Sequence, residues 1–230
     1  MAGTPPGEEQ TMRSSALPDE AEARAALVLS LRRQGVGARD VLSAIERVPR
    51  RLFLPARHHS LAYEDVTLPI ECGQTVSSPS LVAFTAQALD VSPEHALLEI
   101  GTGSGYQSAV LAHLTERVET VDRFATLADL ARRRFAALKL DNVTARQGDG
   151  FEGLKQKGPF DRIVVTAAIP SVPDNWVQQL KPGGILIAPV GQSMQPQSLI
   201  RFVKTESVMT AETLMPVRTV MLQPGVAQLL

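Results

Sequence analysis

The chain has 230 residues, with 23 basic against 24 acidic side chains, a net charge of -1, 44% hydrophobic residues and a single cysteine. Its length and apolar content permit one sizeable core, its balanced charge offers no field for nucleic acid or an anionic membrane surface, and its lone Cys72 excludes an intramolecular disulfide and any multi-cysteine metal site. No apolar run approaches the roughly 20 residues that span a bilayer, and Met1 to Gln10 is polar and Pro-rich, so a soluble cytoplasmic protein with no membrane or nucleic-acid partner is expected.

Residues 1–18 lack apolar periodicity and read as a mobile tail. Helical patterning starts near Asp19, with Ala23, Leu27 and Leu31 on one face, and stops at Gly35-Val36-Gly37. A second helix runs from Ala38 to Val48, ahead of Pro49. Pro69 to Pro79 reads as a loop that enters a helix at Pro79 or Ser80, where proline fits a first turn. The boundaries expected are therefore the tail at 1–18, a unit of N-terminal helices and loop at 19–78, and a cofactor-binding domain at 79–230.

The apolar run Ala96-Leu97-Leu98-Glu99-Ile100 delivers Gly101-Thr102-Gly103-Ser104-Gly105 to a helix start. Glycines let the backbone turn sharply and approach a ligand closely, and the next helix supplies free amide donors. A dinucleotide fingerprint wants G-x-G-x-x-G, but Tyr106 holds the sixth position and the third glycine comes one place early. Glu99 would repel a pyrophosphate yet could face a cation. S-adenosylmethionine, with an amine, a sulfonium and no phosphate, fits that loop.

About twenty residues later Asp122 closes the run Val118-Glu119-Thr120-Val121, where a carboxylate can grip two ribose hydroxyls. Nicotinamide enzymes use an acidic residue at the same place, so Asp122 alone does not choose the cofactor. Gly148-Asp149-Gly150 ends the strand-like Val143 to Gln147 and would present Asp149 to an adenine amino group, although such a turn is common in itself. Further strands are read at Arg162 to Val165 and Ile185 to Val190, and alternation with helices specifies an α/β, doubly wound, mostly parallel sheet. Leu199 to Val203 and Val217 to Leu222 read as two more strands, antiparallel at one edge. His58 and His59 lack acidic or cysteine neighbours at ligand spacing, so no metal is expected. Cys72 reads as a small buried residue, Arg132-Arg133-Arg134 as a solvated helix face, and Trp176 as packing.

From about Asp40 to Leu222 the chain resembles the protein-L-isoaspartate O-methyltransferases, within the seven-strand Rossmann-like S-adenosylmethionine-dependent superfamily. The residues that carry the resemblance are Val48-Pro49-Arg50 with Phe53, Ala62-Tyr63-Glu64-Asp65 with Leu68-Pro69-Ile70, Gly73-Gln74-Thr75-Val76-Ser77, and Leu98 to Gln107. Gly148-Asp149-Gly150, Pro159-Phe160-Asp161, Val165-Thr166-Ala167-Ala168 and Leu180-Lys181-Pro182-Gly183-Gly184 complete it. The glycine loop is shared across methyltransferases, whereas G-Q-T-x-S is peculiar to this family. Three places depart from the pattern: Glu71-Cys72 where a glycine and another residue are usual, Ser78 where Gln or Ala is usual, and Met221 where proline is usual.

The resemblance implies methyl transfer from S-adenosylmethionine to the free α-carboxylate of an L-isoaspartyl residue in a damaged protein or peptide. The ester then closes to a succinimide whose hydrolysis returns part of the material to aspartate. It implies Ser77 as the hydroxyl that orients the acceptor, with Thr75 second. Gln74, Thr75, Val76, Ala167 and Ala168 would line the acceptor side, and Glu99, Gly101, Thr102, Gly103, Ser104, Asp122, Gly148, Asp149 and Gly150 the cofactor side. By itself Ser77 reads more readily as a cap or turn hydroxyl ahead of Pro79 than as a functional hydroxyl. A different carboxyl acceptor, a silent binding module and a nicotinamide oxidoreductase remain as alternatives. A monomer is expected.

Overall fold

The structure, a computed structural model, describes residues 20–206 and 208–227. The expected tail at 1–18 lies outside the described residues.

Two helices open the chain, α1 (Glu20–Arg33) and α2 (Arg39–Arg47). A hairpin follows, with β1 (Leu68–Pro69) antiparallel to β2 (Thr75–Val76), closed by a 3-10 turn at Glu71–Gly73. Cys72 sits in that turn at φ 59° and is only partly buried, so the reading of a small buried cysteine is corrected: it is a turn residue. Next come α3 (Pro79–Leu89), β3 (Ala96–Ile100), α4 (Tyr106–Ala112), β4 (Arg117–Asp122), α5 (Ala125–Ala137) and β5 (Val143–Gln147). The last elements are β6 (Phe160–Val165), α6 (Asp174–Gln179), β7 (Leu180–Val190), β8 (Gln197–Lys204) and β9 (Met209–Val217).

The large sheet has the order β5-β4-β3-β6-β7-β8-β9, parallel through β7 and antiparallel at β8 and β9. This is the mostly parallel, doubly wound sheet expected. The order reverses between β3 and β6, and such a switch point leaves a crevice at the carboxyl ends of the strands.

Alternate residues of the strands feed two cores. Leu97, Val118, Val143, Val164 and Ile185 face one side, where α1 to α5 cover them. Leu98, Ile100, Val121, Ile163 and Leu186 face the other, against Trp176 of α6. Leu27 and Leu31 of α1 and Val41, Leu42 and Ile45 of α2 belong to the first core. The N-terminal helices are therefore packed into the same apolar mass as the sheet.

One strand differs from its expectation. The second antiparallel strand is β9, at 209–217, so of the expected Val217 to Leu222 only Val217 belongs to it and 218–222 lies beyond. From Val217 the chain straps across the carboxyl ends of the sheet, touching Ala168 through Val220 O and Leu222 N, Asp149 through Gly225 N, and Arg123 through Ala227 N. Its β-branched residues suit extended backbone, but the edge of β8 is already filled by 209–217.

Candidate active site

The switch-point crevice is a cleft of about 710 Å³. Its walls are the glycine loop after β3, the end of β4, the hairpin, the start of α4, Thr166 and Ala167 after β6, and the strap from Arg218 to Gln223.

The sheet shapes the glycine loop. Gly101 N donates to Val121 O at 2.8 Å and Thr166 Oγ1 donates to Gly101 O at 2.8 Å, so the loop is pinned between the neighbouring strands. Gly101 has φ +96°, and a side chain there would collide with the Thr166 hydroxyl. Gly105, with φ +86°, caps α4 where a Cβ would press on Phe135 and Ala131. Both positions require a residue without a side chain.

Glu99 is fully buried beneath this loop. Ser108 Oγ and Thr120 Oγ1 both donate to its Oε2, the second at 2.7 Å, and Thr102 Oγ1 lies 2.7 Å from Thr120 Oγ1. The other oxygen, Oε1, and Gln107 Nε2 are both buried and neither completes a hydrogen bond among the described residues, although the Gln107 amide is close enough to help hold the Glu99 carboxyl down. Burial pushes the Glu99 carboxyl up to about 7, against the hydrogen bonds that hold it down. A buried orphan carboxylate oxygen on a cleft wall is a site for a donor or a cation.

Asp122 is also buried. Its Oδ2 accepts from Gly103 N at 2.8 Å and its Oδ1 from Phe124 N at 3.0 Å, so it locks the glycine loop to β4 while lining the cleft. Burial raises its pKa, partly offset by those two amides. Gly101, Thr102, Gly103, Ser104 and Gly150 line the same cleft. Gly148 and Asp149 do not: Asp149 accepts from Phe151 N at 2.9 Å and Gly225 N at 2.7 Å, which anchors the strap.

On the facing wall are Gln74, Thr75, Val76 and Ser77. A Cβ on Gly103 would stand 4.0 Å from Thr75 O, so hairpin and glycine loop are in near contact. Ser78, rather than Ser77, caps α3, its Oγ accepting from Leu81 N at 3.4 Å. The Ser77 hydroxyl has no cap to serve. Ala167 lines the cleft and Ala168 lies behind it, paired with the strap.

Several wall residues were not singled out from sequence: Tyr106, Gln107, Phe124, Phe151, Arg218 and Thr219. Tyr106 and Gln107 follow the glycine loop directly, which was the available signal. The expectation of a solvated face at 132–134 fails for Arg134, whose side chain is 13% exposed and donates to Ser104 O at 2.9 Å. Trp176 is packing as expected, with Nε1 donating to Gly150 O at 3.0 Å. Among the described residues no group of His, Cys, Asp and Glu is placed to hold a metal.

A glycine loop without the dinucleotide spacing, a buried orphan carboxylate oxygen below it and an acidic β4 terminus at a seven-strand switch point define an S-adenosylmethionine-dependent methyltransferase. Residues 22–227 match the model of the protein-L-isoaspartate(D-aspartate) O-methyltransferase family, and the chain belongs to it. It is 54% identical over 207 residues to the protein-L-isoaspartate O-methyltransferase of Azorhizobium caulinodans, covering 90% of this chain and 95% of that one. Identity to the Xanthobacter autotrophicus protein of the same name is 50% over 204 residues, 89% and 93% of the two chains. A solved structure titled protein-L-isoaspartate O-methyltransferase superposes with a TM-score of 0.81 at 29% identity, covering 88% of this chain and 67% of that one. A Plasmodium falciparum structure assigned to the same family, in complex with S-adenosyl-L-homocysteine, gives 0.75 at 23% identity, covering 87% and 98%. The chain is thus an S-adenosylmethionine-dependent carboxyl methyltransferase that esterifies isoaspartyl residues.

Proposed function

We propose that the cleft performs this esterification by alignment, with the hairpin holding the acceptor and the sheet ends holding the cofactor. The observation that carries the reading is that Ser77, released from capping, faces the glycine loop across one cleft. S-adenosylmethionine supplies an activated methyl group on its sulfonium. Glu99 Oε1 suits its ammonium group and Asp122 its ribose hydroxyls, while Gly101 and Gly103 let backbone come close.

The acceptor is a carboxylate with an ordinary pKa of roughly 3 to 4, ionised at neutral pH without a general base. The described residues lining the cleft include no His, Lys or Cys, in keeping with that chemistry. Ser77 donates a hydrogen bond to one acceptor oxygen and so orients the other; Thr75, at the exposed end of β2, is the second candidate. Tyr106, Leu81, Phe151 and Leu222 narrow the cleft and exclude water.

The strap supports recognition of an extended peptide. Ala168 takes Val220 O and Leu222 N, so by strand alternation the N–H and C=O of Met221 turn to the opposite edge. They find no partner among the described residues, and an acceptor backbone on either side of the isoaspartyl unit can pair there. In this reading residues 19–78 serve the acceptor and 79–230 the cofactor, the strap and Ala167 with Ala168 excepted. The protein is read as a cytoplasmic monomer, a reading supported on the oligomeric side by a cleft whose walls all come from one chain.

The test uses labelled S-adenosylmethionine and two peptides that differ only in an L-isoaspartyl or normal L-aspartyl linkage, scoring base-labile methanol. Strong selectivity for the isoaspartyl peptide is expected. Equal transfer to both, or none to either with cofactor binding intact, would assign a different acceptor.

A further inference from the structure

Arg50 is fully buried and none of its hydrogen bonds goes to a carboxylate. Its Nη1 donates to Ala62 O at 3.0 Å, and its Nη2 donates to Val66 O at 2.9 Å and to Ser77 O at 3.0 Å. A buried guanidinium carries a large desolvation cost, offset at Arg50 by backbone carbonyls whose geometry its planar fork imposes. Here that geometry is the path of the chain into β1 and out of β2: one planar fork ties both approaches of the hairpin together at Ser77.

The guanidinium lies 5.6 Å from the centre of the Tyr106 ring, and Tyr106 meets Phe53 edge to face at 5.7 Å. On the far side, Arg134 stands 6.0 Å from the Phe53 ring. Arg134 Nη1 donates to Ser104 O at 2.9 Å, and its Nη2 lies 3.9 Å from Glu71 Oε1 in the hairpin turn. A chain of contacts from Arg50 through Tyr106 and Phe53 to Arg134 therefore joins the two arginines that hold the hairpin at its base and at its turn. Only Arg134 also holds the glycine loop.

We propose that Arg50 and Arg134 are positioning residues: Arg50 sets the placement of Ser77 toward the acceptor, and Arg134 sets the hairpin turn and the glycine loop relative to one another. The proposal rests on the reading of the hairpin as the acceptor wall. Neither guanidinium is a catalytic residue; both act through the backbone they hold. Glu71 gives the turn an ionic attachment to that arrangement.

The two residues leave different signatures. In R50K the ammonium cannot cover the same carbonyls in one plane. The acceptor KM should rise by about tenfold and kcat fall, with the dissociation constant of S-adenosylhomocysteine within about twofold of wild type. In R134K both the acceptor KM and the cofactor dissociation constant should rise, each by about threefold or more. E71Q is the mild variant, expected to raise acceptor KM by about twofold to threefold and leave cofactor binding unchanged.

A merely structural role lowers thermal stability and the fraction of active enzyme while leaving KM and the dissociation constant at wild-type values. That pattern in R134K and E71Q would overturn the proposal, even where R50K fails to fold. Amide hydrogen exchange across residues 67–77, faster in R134K and E71Q than in wild type, reads the hairpin without the reaction. If wild type fails to methylate isoaspartyl peptide but the exchange difference appears, the acceptor reading falls and the clamp stands; the converse result removes the clamp alone.

Discussion

The two walls of the cleft are built on different physical terms. The wall we propose for the cofactor grows from the ends of β3 and β4, interior strands of the parallel part of the sheet, and its polar side chains Glu99, Thr102, Ser104 and Asp122 are all buried. The wall we propose for the acceptor is a hairpin of two-residue strands with Thr75 exposed, held at its base by the buried Arg50 and at its turn by Arg134. The contrast teaches where precision is stored. The first wall is rigid because the sheet is rigid, and the second is rigid only so far as a few designated donors hold it, which suits a surface that admits a peptide segment of variable sequence.

The strongest way to break the contrast is Gly101→Ala. A left-handed φ and a collision with Thr166 should cost about 1–3 kcal/mol in folding and abolish tight cofactor binding. Thermal denaturation with and without S-adenosylhomocysteine reads both; a variant still stabilised as wild type by the ligand would show that the cofactor wall tolerates what its geometry forbids.

Ser77→Ala should do the reverse. Loss of one oriented donor is expected to lower turnover about tenfold to a hundredfold at unchanged cofactor affinity. Parallel loss of turnover and cofactor binding would place Ser77 on the other wall.

Glu99 sharpens the comparison through pH. Its carboxyl is raised by burial to about 7 from an ordinary 4.5, so the stability it contributes is full below the ordinary value and is lost as pH rises through about 7. A cation beside Oε1 favours the ionised form, so cofactor affinity should climb by roughly threefold to tenfold between about pH 6 and about pH 7.5. Calorimetric titration of wild type against Glu99→Gln checks this, and a slope that survives in the variant removes Glu99 from cofactor recognition.

The smallest effect is expected at Ala167, which lines the cleft beyond β6. Ala167→Leu should raise acceptor KM severalfold, about 1 kcal/mol, with little change at the cofactor. Steady-state kinetics with the isoaspartyl peptide decide it; unchanged KM would move the acceptor away from this wall.

Much of the cleft wall assigned to the cofactor was legible in the sequence because its signals are local. An apolar run, a glycine loop and a carboxylate one strand later are contiguous patterns, and a parallel sheet converts their order into proximity. Asp149 shows the limit. Its turn was legible, but the contact its Oδ2 makes with Gly225 N, 76 residues away in the strap, was not. The strap itself was read as a strand because Val217, Thr219 and Val220 favour extended backbone, and local preference carries no information about which neighbour is free to pair.

What the sequence by itself determined was the alternation of strands and helices, the break at Gly101 to Gly105 that suits a phosphate-free cofactor, and the family motif around Ser77. These rest on short-range rules of backbone sterics and hydrophobic period. Tertiary structure alone decided that Ser78 takes the cap and leaves Ser77 to the cleft, that Arg134 turns inward, and that Arg50 reaches Ser77 O across 27 residues of chain. Such contacts join residues distant in sequence, and only the packing of the assembled core selects which carbonyl a buried guanidinium will meet.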